Sequence, residues 1–193
     1  MKTSWQLTAL KWQARVLLIF GRRDDALANF NRMLQIDPGN AYALASRAHL
    51  RSQAGDSLLA IADYHELVRL HPQDAPAWFN LGYLLEQGEQ WQSAARCFKR
   101  ATEANPELDR AWYGLGLVLI RLERYDEAMA ALKRNTQLQP MSPYGWYQLA
   151  RVHVDRHEPE EAMKIISHLK GFEPKVAAQL ERETGLVVAG AAH

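Results

Sequence analysis

Prolines stand at Pro38, Pro72, Pro106, Pro140 and Pro174, always 34 residues apart. The spacing is one column of a longer pattern. The stretch 75–106 carries Trp78, Leu81, Gly82, Leu85, Ala94, Phe98 and Ala101, and a shift of 34 residues returns Trp112, Leu115, Gly116, Leu119, Ala128 and Leu132. A fixed period of this length means copies of one supersecondary unit, each burying its apolar face against its neighbours. Such a chain needs no single central core. Counting back from the prolines sets five frames, 7–40, 41–74, 75–108, 109–142 and 143–176, so that 1–176 reads as one repeat array. Residues 177–193 are left for a capping helix and a frayed tail.

Within each frame apolar residues recur at three- and four-residue steps, break, and recur again. Each frame therefore predicts two amphipathic helices, and the class is all-α. Gly21, Gly55 and Gly88 fall at the break, where freedom to take positive φ ends a helix. The pairs Asp24–Asp25, Asp126–Glu127 and Glu160–Glu161 follow, placed to complement the dipole of the second helix. Each proline stops that second helix. Ala14, Ala48, Gly82, Gly116 and Ala150 share one position of the first helix, and Ala26, Ala60, Ala94, Ala128 and Ala162 one position of the second. Small residues at matched heights allow close helix approach, with Leu10, Leu44, Trp78, Trp112 and Trp146 filling the space beside them as core. Arg47 breaks an apolar column but has Asp63 in the same frame, which predicts a structural ion pair. Asn135 breaks another and is expected to bond a neighbouring backbone group.

The balance of 23 basic and 22 acidic residues argues against bulk nucleic-acid binding, which draws on a basic excess. Cys97 is the sole cysteine, so no intrachain disulfide forms, and it reads as a packing thiol. Residues 1–23 hold Lys2, Lys11, Arg15, Arg22 and Arg23 without an acid, yet their longest apolar run is 16–20. That is too short for a signal-peptide centre or a transmembrane segment, so a cytoplasmic location is expected. Glycine-rich phosphate loops, HExxH and GxSxG are all missing from the sequence, and the expectation is a non-enzyme without cofactor. His153 and His157, four apart with Asp155 between and Glu158 following, form the best metal candidate. The simpler reading places His153 in a column and His157 in solvent at the helix end, and no metal site is assigned.

Together these motifs resemble the tetratricopeptide repeat family over residues 7–176, most closely in the third and fourth frames. The resemblance implies stacked helix pairs in a right-handed α–α superhelical solenoid, with the first helices lining a concave groove. It also implies a scaffold that holds other proteins as adaptor, co-chaperone or assembly factor. One subtype clamps the C-terminal carboxylate of chaperone peptides. From the first frame Lys11 fits that pattern, but Arg15, Ser46 and Pro76 depart from it. From the second, Asn80 and Arg110 fit while Ala45, His49 and Gly114 do not, so no chaperone clamp is expected.

The groove stripe implied by the family takes in Lys11, Arg15, Leu18, Tyr42, Ala45, His49 and Ser52 from the first two frames. Phe79, Tyr83 and Glu86 follow, then Arg110, Tyr113, Leu117 and Ile120, then Tyr144, Tyr147 and Arg151. Tyrosine combines apolar area with a hydrogen-bonding tip at low entropy cost, and arginine offers forked donors to carboxylates. The expected partner is thus a protein or peptide segment, apolar or aromatic, with an acidic group. An alternative is a homo-oligomer or membrane-surface coat built through the first frame. It rests on Trp5, Trp12, Leu18 and Ile19, apolar residues with no earlier repeat to cover them.

Overall fold

The computed structural model describes residues 2–188, and the described residues form helices without a strand. The helices are α1 (Lys2–Ile19), α2 (Arg23–Ile36), α3 (Ala41–Gln53), α4 (Ser57–Leu70), α5 (Ala75–Gln87), α6 (Trp91–Ala104), α7 (Asp109–Arg121), α8 (Tyr125–Leu138), α9 (Pro143–Asp155), α10 (Pro159–Lys170) and α11 (Pro174–Thr184). From α3 to α9 the odd-numbered helices start every 34 residues, in phase with the prolines. Helix α1 departs from this pattern, being 18 residues long where α3, α5, α7 and α9 have 13.

The helices belong to two compact units, Met1–Gly88 with α1 to α5 and Glu89–His193 with α6 to α11. In the first unit each helix packs on the next, and Ala14, Ala26, Phe30, Met33, Ala43 and Leu50 make a core ringed by Leu7, Leu10, Leu17 and Leu18. In the second, Leu132, Leu149, Ala150, Val152, Ile166, Leu169, Ala177 and Leu180 form the corresponding core. The small columns do what their spacing predicts. A Cβ on Gly116 would lie 2.7 Å from Leu132 Cγ and Cδ2, so α7 and α8 approach too closely for any other residue there.

Three local features differ from the sequence reading. The left-handed residue between paired helices is not Gly88, whose φ is −89°. It belongs to the column Gly21, Gly55, Glu89, Glu123 and His157, with φ of 71°, 88°, 57°, 58° and 59°. At four of these positions the next amide donates to the carbonyl five residues back: Arg22 to Leu17 at 2.8 Å, Asp56 to Arg51 at 2.9 Å, Arg124 to Leu119 at 2.9 Å and Glu158 to His153 at 2.8 Å. This is a Schellman stop, and it is used even where no glycine supplies it. The tryptophans, expected as core, are half-buried and work through their edges. Trp78, Trp112 and Trp146 each donate Nε1–H to the carbonyl of the proline six residues earlier, Pro72, Pro106 and Pro140, at 2.9, 2.8 and 2.9 Å. Each ring thus ties the start of a first helix to the turn before it. Past α11, Leu186 and Val188 pack on the second core, while the Val188 amide donates to Glu181 at 2.8 Å. The remainder of the tail lies outside the described residues.

Candidate functional site: the first-helix stripe

In the first unit the stripe is partly tied down by the fold. Lys11 is half-buried, its Nζ 4.4 Å from the centroid of the Tyr42 ring, and Tyr42 in turn meets Phe30 edge-on at 5.9 Å. His49 is exposed and shares a hydrogen bond with Gln53 at 3.1 Å. Arg15 and Tyr83 are exposed, and Phe79 is half-buried. Asn80, one of the residues weighed for a clamp, is half-buried and lies close enough to the Tyr64 hydroxyl to influence it. Burial is the main force raising the phenol of Tyr64 above its ordinary value, and the Asn80 side chain opposes it.

In the second unit α7 presents Arg110, Tyr113 and Leu117, while α9 presents Tyr144, Tyr147 and Arg151. Tyr113 and Tyr147 pack their rings on the core. Tyr144 stands clear of it, 68% exposed. The Tyr147 hydroxyl donates to Glu183 on α11 at 2.5 Å, and Arg151 lies 5.9 Å from the Tyr147 ring centroid. Gln179 reaches the other oxygen of Glu183 at 2.7 Å. The bond to Glu183 raises the Tyr147 pKa, and the same bond is the first cause of the lowered Glu183 pKa. Nothing in the sequence paired positions 147 and 183, because that pairing depends on where α11 docks.

The stripe is an open surface. A cavity of about 570 Å³ in the second unit lies elsewhere, between α6 and α8 over Trp112, Leu115 and Leu119, with Arg96, Lys99 and Glu103 at its rim. No stripe residue lines it.

The residues singled out for self-association divide. Trp5, Trp12 and Ile19 are exposed, whereas Leu18 packs on the first core. Val16 and Phe20 share their exposure and were not anticipated, although the three- and four-residue steps from Trp12 through Val16 and Ile19 were there to be read.

The other sequence candidates have structural partners. Arg47 holds Asp63 through Nε at 2.9 Å and Nη2 at 2.6 Å, and Arg51 joins at 2.7 Å. Asn135 donates to the Asp109 carbonyl at 3.0 Å, as its placement predicts. His153 is buried with Nδ1 2.7 Å from Glu158, and His157 occupies the left-handed turn position. Among the described residues no group of three or more His, Cys, Asp or Glu side chains is placed to hold a metal. Burial pushes the Cys97 thiol up to about 11, a protonated and unreactive packing group at neutral pH. No helix among the described residues is long and apolar enough to cross a membrane.

Stacked helix pairs with a 34-residue period, a small-residue column and proline stops define an α-solenoid of interaction-scaffold type. The chain belongs to the tetratricopeptide repeat family, whose profile matches residues 46–95 and 83–143. No curated protein is significantly similar to it by sequence. Solved structures share its fold. MamA superposes with a TM-score of 0.80 at 20% identity, covering 95% of this chain and 98% of that one. YrrB, described as a tetratricopeptide protein with an unusual peptide-binding site, does so at 0.77 and 20% identity, with 88% of each chain covered. PilF of Pseudomonas aeruginosa gives 0.68 and 20%, covering 96% of this chain and 95% of that one.

Proposed function

We propose that this scaffold captures an extended, aromatic and acidic peptide segment on the stripe of its first helices. The observation that carries this reading is the face presented by α7 and α9. There Tyr144 is exposed beside Tyr147, and Arg110 on α7 and Arg151 on α9 are exposed as well. A solvated helix face has no use for an uncovered tyrosine between arginines, whereas a peptide groove does. The likeness to YrrB, with its peptide-binding site, supports a peptide as the ligand class. Glu183 already stands against Tyr147 and near Arg151, so it takes the place that a ligand carboxylate would take at this end of the stripe. Catalysis has no part in this function, and the site of action is the cytoplasm.

Selection of a displayed peptide library on the purified chain tests the proposal. Enriched peptides should carry aromatic and acidic residues. Tyr83→Ala, Tyr113→Ala and Tyr147→Ala should each weaken them by about 1–3 kcal/mol, and Tyr144→Ala should do so without touching the core. Peptides that bind all four variants like wild type would place the site elsewhere.

A further inference from the structure

Helix α1 carries apolar residues on two opposite sides, and the fold covers only one of them. Leu7, Leu10, Leu17 and Leu18 pack inward with Ala14. On the opposite side Trp5, Trp12, Val16, Ile19 and Phe20 form one exposed stripe running the length of the helix. An exposed apolar stripe rimmed by polar residues marks an interaction surface. Here the outer side has nothing over it in the described residues of its unit.

The charges say what covers it. No acidic residue occurs in residues 1–23. Arg15 flanks the stripe on one side and Gln6 and Gln13 on the other, while Lys11 lies further round the helix against the Tyr42 ring. The Arg15 guanidinium lies 4.6 Å from the Trp12 ring centroid, so its stem follows the apolar surface while its charge reaches past it. Arg23 and Arg32 are exposed nearby on α2, whereas Arg22 on the turn is paired with Asp25 at 2.7 Å. A second copy meeting this face across a two-fold axis would bring like-charged rims together. A surface of anionic headgroups meets the same rim with opposite charge.

We infer that α1 is an interfacial helix, and that it lays the Trp5–Trp12–Val16–Ile19–Phe20 stripe into a membrane surface containing anionic lipid. The two indoles lie at the level where amphipathic aromatic rings favour a bilayer interface, and the arginines face the phosphates. The helix lies on the membrane and does not cross it. The α1 stripe and the Tyr144 face of α9 share no residue, so substitutions can separate the two activities.

Vesicle flotation of the full chain tests the inference, using phosphatidylcholine alone and phosphatidylcholine with phosphatidylglycerol in equal parts. The wild type should float with the anionic vesicles, stay behind with the neutral ones, and be released by salt. Ile19 and Phe20 are 80% and 76% exposed, so Ile19→Glu/Phe20→Glu leaves the fold intact, which circular dichroism verifies. That variant should lose about tenfold or more in binding, and Arg15→Gln about fivefold. Tyr144→Ala should float like wild type, which separates this result from the fate of the peptide groove. The inference is overturned by equal partition onto both vesicle types, by no flotation at all, or by undiminished flotation of Ile19→Glu/Phe20→Glu. A dimer in sedimentation equilibrium that the same variant dissociates, without vesicle binding, assigns the face to a second copy and also overturns it.

Discussion

Replacing Asp63 with alanine should be among the most damaging single changes in the first unit. The carboxylate receives three charged hydrogen bonds, two from Arg47 and one from Arg51. Arg47 also donates an Nη1–H to Asn31 at 2.8 Å, which fixes the guanidinium from a second side. Removal of the carboxylate strands two guanidiniums whose side chains are only 19% and 18% exposed. Stranding a buried charge costs about 3–5 kcal/mol. The residual exposure lets water reach both arginines in part, which places Asp63→Ala near the lower end, about 3 kcal/mol. Arg51→Met leaves the Arg47 fork intact and should cost only about 1 kcal/mol. The triple variant Arg47→Met/Arg51→Met/Asp63→Leu strands nothing and should recover most of the loss, because a buried ionic cluster is expensive chiefly when broken. Urea unfolding followed by circular dichroism measures the global effect, seen thermally as a drop of roughly 6–12 °C in Tm. Hydrogen exchange in α3 and α4 measures it locally, which matters because a repeat array need not unfold in one step. An Asp63→Ala variant within about 1 kcal/mol of wild type, or a triple variant weaker than the single, would refute the reasoning.

Three further outcomes are expected. Gly145→Ala should destabilise the second unit by about 1–3 kcal/mol despite alanine's better helix propensity; its Cβ would fall 2.3 Å from Asn135 Oδ1, and pairing it with Asn135→Ala should restore stability in a denaturant melt. Glu123→Gly should instead stabilise by about 0.5–1 kcal/mol in the same melt, since Glu123 holds φ at 58° where an L-residue is strained. The link between α11 and α9 should weaken at both ends of the pH scale. The lowered Glu183 pKa supports the fold above the ordinary value of 4.5 and is lost as pH falls through the depressed value, while the raised Tyr147 pKa supports it below 10.0 and is lost as pH rises through the elevated one. Amide exchange in α11 should accelerate in those two windows, and Tyr147→Phe should remove the alkaline dependence and reduce the acid one, which Gln179 and the nearby arginines also support.

Much of this architecture was legible before any coordinates because it is periodic. The 34-residue register placed the first helices of four frames at 41, 75, 109 and 143, where α3, α5, α7 and α9 begin. It also exposed its own exceptions: Arg47 and Asn135 stood out as polar intrusions in apolar columns, and each had a partner class that the chemistry demanded. Fold class and core columns are repeated local decisions, and sequence records such decisions once per repeat.

What the repeat could not show is whatever depends on two segments meeting at a given angle. The left-handed turn position fell to Glu89, Glu123 and His157 because the Schellman geometry is imposed by how paired helices pack, even where no glycine marks it. Gly145 passed unnoticed, since only the approach of α8 shows that Asn135 fills the volume a methyl would need. The groove stripe was traceable as positions, yet whether a tyrosine there is open or spent was not. Tyr144 is open and Tyr147 is bonded to Glu183, because α11 lies outside the register and its docking is set by tertiary packing. The same holds for α1, where periodicity placed Leu18 among the outward residues and packing turned it inward, leaving Val16 and Phe20 on the surface instead.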